Sequence, residues 1–173
     1  MSAESDRDRA EPELELFELD ADDDVWSVFD RDSFHPNPGF TARWWHKTRW
    51  RTLPERYFVV ESAGVEVARV MVNPESLVPR GYAGEHSGAR AVEVQLLEVH
   101  KQYRSRGIGK RVVTGVTALF GGVVFAKAED GPGEFWSRLG WLEYRYATPR
   151  RNVWRLFVRP EVSEPFAQRA ASR

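Results

Sequence analysis

The sequence contains no cysteine. This absence excludes a disulfide framework, a thiolate nucleophile and any zinc or iron-sulfur site with cysteine ligands. The four histidines, His35, His46, His86 and His100, show no metal-ligand spacing, so we expect no metal site. The N-terminus lacks the apolar core of a signal peptide, and the longest uncharged stretch, 112–126, is shorter than the roughly 20 residues that cross a bilayer. We therefore expect a cytoplasmic protein without a membrane span.

Net charge is also nearly absent, because 25 Lys and Arg stand against 26 Asp and Glu. The balance hides a segregation along the chain. Residues 1–30 carry twelve acids and two arginines, whereas the remainder carries 23 basic and 14 acidic side chains. Within that remainder, 101–111 holds five basic residues and no acid. A solvated surface is the ordinary interpretation of such a run, and a cluster that binds a polyanion is the alternative.

The length of 173 residues and the hydrophobic fraction of 42% predict one domain with a sizeable core. Residues 1–12 and 161–173 have no apolar period and are predicted to be disordered tails, which leaves 13–160 as the domain. The predicted architecture is mixed α/β around one largely antiparallel sheet, with at least one strand-helix-strand crossover.

Apolar periodicity places seven strands and about four helices along this domain. Strands are predicted at 13–19, 56–61, 65–72, 91–99, 123–128, 141–146 and 152–158, and helices after 20–24 and at 40–51, 108–120 and 132–139. A compact turn is expected at 62–64, and 73–90 is expected to be a long loop of the kind that is often functional.

A glycine-rich turn follows the fourth predicted strand. Its sequence is Arg104-Ser105-Arg106-Gly107-Ile108-Gly109, and a helix is predicted to begin there. A helix start exposes unpaired backbone N–H groups with partial positive charge, and glycines let an anion approach them closely. Because basic side chains surround the turn, the segment predicts a phosphate-binding site.

Two common phosphate-binding loops fit this turn poorly. A Walker A loop needs Ser or Thr after Gly-Lys, but Arg111 follows Gly109-Lys110. A dinucleotide fingerprint needs a small residue at Val112, although an acid, Glu129, does follow about 20 residues on.

Two motifs resemble the GNAT superfamily of acyl-CoA N-acyltransferases. Residues 97–109, LEVHKQYRSRGIG, are similar to motif A, which has Arg or Gln, two residues, Gly, one residue, then Gly or Ala. Residues 135–141, FWSRLGW, are similar to motif B, which is usually Phe-Tyr, three residues, then Gly-Phe. The resemblance implies a GNAT-like sheet of about seven strands with about four helices over 13–160, in which strands four and five splay apart at the cofactor site.

The function that the resemblance implies is an acetyl-CoA-dependent N-acetyltransferase. Backbone groups of Leu97 and Val99 would bond the pantetheine arm, and backbone N–H groups of the glycine turn would hold the pyrophosphate. The cofactor-binding residues that it implies are Leu97, Val99, Arg104, Ser105, Arg106, Gly107, Ile108, Gly109, Lys110 and Trp136.

The expected chemistry needs a base, because an alkyl amine is mostly protonated at neutral pH and must lose a proton to attack a thioester. Glu93 is the first candidate, since some family members carry a catalytic glutamate at the start of this strand. Strand alternation puts Glu93 on the face of Leu97 and puts Glu98 on the other, which makes Glu98 the second candidate. The structural alternative for Glu93 is a salt-bridged strand residue.

Motif B departs from the family at Trp136, where many members have a tyrosine that protonates the departing thiolate. An indole N–H can donate a hydrogen bond but cannot act as a proton-relay acid near neutral pH. Trp136 is therefore expected to pack against the cofactor, leaving Tyr144, Tyr146 or water to supply the proton. Glu129 stands where the family often has an asparagine.

Three functions remain open at this point. The first is acetyl transfer to a small-molecule or peptide amine by a monomer or homodimer, with the acceptor side built from 26–50, 73–90 and the turn near Pro149. The second, motivated by Trp136, is a catalytically weak acyl-CoA-binding regulatory module. The third, nucleic-acid binding through 101–111, is the least favoured.

Overall fold

The structure of the protein is a computed structural model. It describes residues 13–19, 37–41, 44–45, 54–82, 88–148 and 153–160. The strands are β1 (Glu15–Leu19), β2 (Arg56–Ser62), β3 (Val65–Leu77), β4 (Arg90–Val99), β5 (Val124–Ala128), β6 (Leu142–Tyr144) and β7 (Arg155–Val158). The helices are α1 (Ile108–Ala118) and α2 (Asp130–Arg138), and a short 3-10 turn spans Lys101–Tyr103.

The seven strands form one mixed sheet in the order β1-β2-β3-β4-β5-β7-β6. The pairing of β4 with β5 is parallel, and α1 is the helical crossover that a parallel pair requires. The β1–β2, β2–β3, β5–β7 and β6–β7 pairs are antiparallel. The predicted seven-stranded, largely antiparallel sheet with a strand-helix-strand crossover is therefore confirmed.

The expectation of about four helices is not supported, because the described part of the chain contains two α-helices. The other two predicted helices fall almost entirely outside the described residues, although Trp44 and Trp45 are helical. Both observed helices lie where the apolar spacing predicts them. In α1 the residues Ile108, Val112 and Val116 recur every four positions and are buried, as expected for one helix face.

The third strand is longer than predicted, since it continues to Leu77 through Pro74. Proline suggests a strand end because it has no N–H to give to a ladder. Here the side chain of Asn73, which is 3% exposed, accepts a hydrogen bond from the N–H of Glu75 at 2.9 Å. The strand nevertheless continues through the proline, so the predicted loop at 73–90 begins later than expected.

The chain divides into two compact units, each with its own core. Of the described residues, those up to 72 and those of 96–119 belong to the first unit, and those of 73–95 and 120–160 belong to the second. The core cluster of the first is Phe40, Trp45, Tyr57, Val59 and Met71, against which Leu19 and Leu96 pack. The core cluster of the second is Val78, Ala91, Phe125, Leu156 and Val158, against which Tyr82, Val123 and Tyr144 pack.

Candidate functional site

The turn that joins β4 to α1 has an unusual backbone. After the 3-10 turn, Arg104 is extended, and two of the next three residues, Ser105 (φ 61°) and Gly107 (φ 74°), are left-handed. Glycine adopts this conformation freely, whereas it costs a serine about 1–2 kcal/mol of free energy. Strain of this kind is found preferentially at ligand-binding and catalytic sites.

Gly107 caps α1 with its backbone alone. The helix has no side-chain hydrogen bond at its N-cap and no acidic residue in its first turn. Apart from the adjacent backbone, no described atom lies within 4 Å of the position that a Cβ on Gly107 would occupy. The first N–H groups of α1 can therefore be approached closely, as an anion site at a helix start requires.

Four basic side chains around this turn are exposed, namely Lys101, Arg104, Arg106 and Lys110. Two of them are oriented by neighbouring residues. The Nε of Arg104 donates to the carbonyl oxygen of Val99 at 3.0 Å, and the Arg106 guanidinium lies 5.5 Å from the ring centre of Tyr103. Exposed basic residues thus lie close in sequence to a helix start, which is the combination that attracts a polyanion.

Glu98 is buried at the end of β4, where 3% of its surface is exposed. Its carboxylate accepts hydrogen bonds from four donors. They are the backbone N–H (3.0 Å) and hydroxyl (2.8 Å) of Thr41, the indole N–H of Trp45 (2.8 Å) and the guanidinium of Arg104 (3.4 Å). Glu98 therefore links the segment 37–45 to the first residue of the glycine turn.

A second polar network holds the same segment. The Nε2 of His100 lies 3.1 Å from the amide oxygen of Asn37, and the Asn37 amide donates to Glu66 at 3.3 Å. Glu66 also accepts two hydrogen bonds from Arg69, at 2.6 and 3.1 Å. The Arg69 guanidinium in turn stacks on Phe40, 4.3 Å from its ring centre. The residue that precedes the 3-10 turn is thus fixed through side chains from β3.

Gly39 lies directly against His100. A Cβ on Gly39 would stand 1.7 Å from Nε2 of His100, which is too close for any real contact. We expect Gly39→Ala to displace the imidazole and break its contact with Asn37, lowering the free energy of unfolding by about 1–3 kcal/mol. Urea denaturation measures this change. Gly121→Ala is the matched control, because nothing lies within 4 Å of its Cβ position; equal stability of the two variants would contradict the prediction.

Glu93 lies on β4 within the second unit and is 7% exposed. Its carboxylate accepts a hydrogen bond from the hydroxyl of Ser76 at 3.0 Å and forms an ion pair with Lys127 at 2.8 Å. Glu98 and His100, further along the chain, instead contact Thr41 and Asn37. Lys127 is therefore the ion-pair partner that the alternative, structural role of Glu93 requires.

Trp136, the aromatic residue of motif B, is 6% exposed on α2. Its ring packs against Phe135 and Trp141, with centroids 5.0 and 4.6 Å away. The backbone N–H of Trp141 also donates to the backbone carbonyl oxygen of Trp136 at 3.1 Å. The motif therefore folds as a tight helix end in which the indole is mostly covered by protein.

Part of the predicted acceptor side falls outside the described residues, including Pro149 and most of 26–50. Within the 73–90 segment, Tyr82 packs edge to face on Tyr146 at 5.3 Å, and its hydroxyl donates to the carbonyl oxygen of Trp154 at 2.6 Å. Burial and, to a smaller extent, Tyr146 raise the pKa of Tyr82 above its ordinary value. Tyr82 therefore stays a neutral hydrogen-bond donor at neutral pH.

The described residues contain no helix long and apolar enough to cross a membrane. They also contain no group of three or more His, Asp or Glu side chains placed to hold a metal ion.

Neither a model of a known protein family nor a curated protein matches this sequence. Solved structures do match. A KacTA–DNA complex shares 17% identity over 85% of this chain and 92% of that chain, with a TM-score of 0.50. A protein from Pyrococcus horikoshii OT3 shares 11% identity over 85% and 98%, with a TM-score of 0.52.

The N-acetyltransferase YlbP of Bacillus subtilis, solved with coenzyme A, shares 16% identity over 60% of this chain and 66% of that chain, with a TM-score of 0.48. Such identities bear on the fold alone. The strand order, the parallel β4–β5 pair and the glycine turn between β4 and α1 agree with the GNAT fold that the two sequence motifs imply. The fold of this chain is similar to that of the two structures with TM-scores of 0.50 and 0.52.

Proposed function

We propose that this protein is an N-acetyltransferase that transfers an acetyl group from acetyl-CoA to the primary amine of a small molecule or peptide. The observation that carries the proposal is the turn between β4 and α1. It combines a left-handed glycine at an open helix start with four exposed cations. A diphosphate with a further phosphate nearby, as in coenzyme A, is the ligand class that this arrangement suits.

The glycine turn and β4 would bind different parts of CoA. Backbone N–H groups of 104–110 would hold the pyrophosphate, with the side chains of Arg104, Arg106 and Lys110 adding charge. Backbone groups of Leu97 and Val99 would bond the pantetheine arm as an added strand. The β4–β5 ladder supports this role, because it joins only 92–94 to 124–126 while β4 continues to Val99.

Glu93 would act as the base. The amine nitrogen would attack the thioester carbonyl carbon, the C–N bond would form, and the C–S bond would break to release the thiolate. Glu93 would take the proton that the amine loses, and a proton would then reach the thiolate sulfur. Among the described residues, two donors contact the carboxylate of Glu93 and four contact that of Glu98, and a carboxylate accepts about four hydrogen bonds. Glu93 is therefore better placed than Glu98 to accept a proton.

A turnover assay tests the proposal. The full chain is incubated with acetyl-CoA and, separately, a polyamine, an aminoglycoside and a lysine-containing peptide, and free CoA is measured. Release of CoA with an equal amount of acetylated amine is the expected result. Tight CoA binding without turnover on any amine would instead favour a regulatory acyl-CoA-binding module, for which the covered Trp136 in place of a proton-donating tyrosine is the supporting observation.

We expect Gly107→Asp to weaken CoA binding at least tenfold. The variant forces a side chain into a left-handed backbone position and brings a carboxylate to the helix start that would face the pyrophosphate. Calorimetric titration with CoA measures the loss. Gly121→Asp is the matched control, since it adds the same charge at a glycine remote in sequence from the turn. Unchanged CoA affinity in Gly107→Asp would remove the glycine turn from the binding site.

A nucleic-acid ligand is the remaining candidate for the cationic turn, and the KacTA structure contains DNA. Binding of DNA to such a cluster would weaken steeply with salt. Competition between CoA and DNA for the turn would show that the cluster serves the nucleotide part of CoA.

A further inference from the structure

One side chain of β4 has a buried polar atom without a partner. The Oε1 atom of Gln95 is buried, and no described residue donates a hydrogen bond to it. Natural proteins seldom leave a buried acceptor in this state, because the hydrogen bond that it makes with water in the unfolded chain is not replaced. The neighbouring buried acids of the same strand differ, since Glu93 has two donors and Glu98 has four. Gln95 is therefore the exception that needs an explanation.

The position of Gln95 on the strand is specific. It follows Val94, the last residue of β4 that pairs with β5. By alternation it shares a face with Glu93 and Leu97, and each of these lies about 6–7 Å from it along the strand. Gln95 thus stands between the proposed base and the proposed start of the pantetheine contacts.

We infer that Gln95 binds the acyl donor, with its Oε1 accepting a hydrogen bond from an amide N–H of the pantetheine arm. This inference rests on the proposed function. A neutral acceptor suits a neutral amide, whereas a protonated amine would be drawn to the carboxylate of Glu93. Because no described residue donates to the Gln95 oxygen, a turn of its amide toward the ligand breaks no hydrogen bond with the described residues at that atom.

One substitution of Gln95 should affect the stability of the protein and its ligand binding differently. Gln95→Met keeps the length of the side chain and removes the acceptor. Removing a buried unsatisfied atom leaves the protein as stable as before or more stable. Removing an acceptor that the ligand uses weakens binding of that ligand. A residue with a purely structural role would not produce this combination.

Calorimetric titration of the full chain with two ligands tests the inference. One ligand is CoA, and the other is adenosine 3′,5′-bisphosphate, which has two of the phosphates but lacks the pantetheine arm. We expect Gln95→Met to weaken CoA binding about threefold to tenfold, the effect of one hydrogen bond, and to leave the affinity for the bisphosphate unchanged. Its urea midpoint should equal or exceed that of the wild type.

Two results overturn the inference. They are CoA affinity within about twofold of the wild type, and an equal loss for both ligands. Gln95→Leu removes the same acceptor and replaces Gln95→Met if that variant fails to fold. Failure of the proposed function looks different, because the wild-type chain would then bind neither CoA nor the bisphosphate.

Discussion

Glu93→Gln is expected to lower kcat about 100-fold or more, with CoA affinity within about twofold of the wild type. Glutamine keeps the shape of the side chain and can still accept a hydrogen bond from Ser76, but it cannot take a proton from the attacking amine. The binding contacts proposed for CoA lie further along β4 and in the glycine turn, so they remain. Steady-state kinetics with the most active amine of the panel, together with CoA titration, measure both quantities.

Lys127→Met is the matched control for Glu93. It removes the other half of the 2.8 Å ion pair but leaves the carboxylate in place. If Glu93 is the base, this variant retains most of the wild-type kcat while losing the same ion pair. If Glu93 serves only as a salt-bridged strand residue, the two variants lose similar stability and neither loses kcat selectively.

Glu98→Gln is expected to lower the free energy of unfolding by about 2–4 kcal/mol, which makes it the most destabilising of the substitutions considered. The glutamine NH₂ replaces one acceptor oxygen and meets donors from Thr41 or Trp45 instead. Each buried donor left without an acceptor costs about 1–3 kcal/mol. The contact with Arg104 is about half exposed on the arginine side and contributes less. Chemical denaturation monitored by circular dichroism measures the change.

Glu134→Gln provides the comparison for Glu98. Glu134 forms an ion pair with Arg138 on α2 at 3.6 Å, and both side chains are more than 70% exposed. Such pairs contribute about 0.5 kcal/mol or less. A loss in Glu98→Gln as small as that in Glu134→Gln would show that the four hydrogen bonds to Glu98 do not hold 37–45 in place.

The sheet was largely predictable because its strands carry local signals. β2 and β3 are rich in β-branched and aromatic residues, and Ala63 and Gly64 form the tight turn between them with positive φ at both positions. The extent of β3 was not predictable, because Asn73-Pro74 is a local loop signal. The strand continues through it to Leu77.

The phosphate-binding turn was predictable for a similar reason, since helix start, glycines and basic residues are adjacent in sequence. The surroundings of Glu98 were not. Its donors Thr41 and Trp45 lie more than 50 residues away, and only the folded chain brings them to the strand. The alternation of Leu96, Glu98 and His100 predicts that they share one face, and a polar pair beside a partly buried leucine was the available hint. No local sequence pattern predicts the hydrogen bond between the Asn37 amide and Glu66.

The proposed function requires that the turn between β4 and α1 binds the phosphates of acetyl-CoA and that β4 binds its pantetheine arm. A crystal structure of the full chain with CoA tests both requirements at once. We expect the pyrophosphate against the backbone N–H groups of 104–110 and the pantetheine arm along Leu97 and Val99. CoA bound at another surface, with the glycine turn and the free part of β4 uncovered, would contradict it.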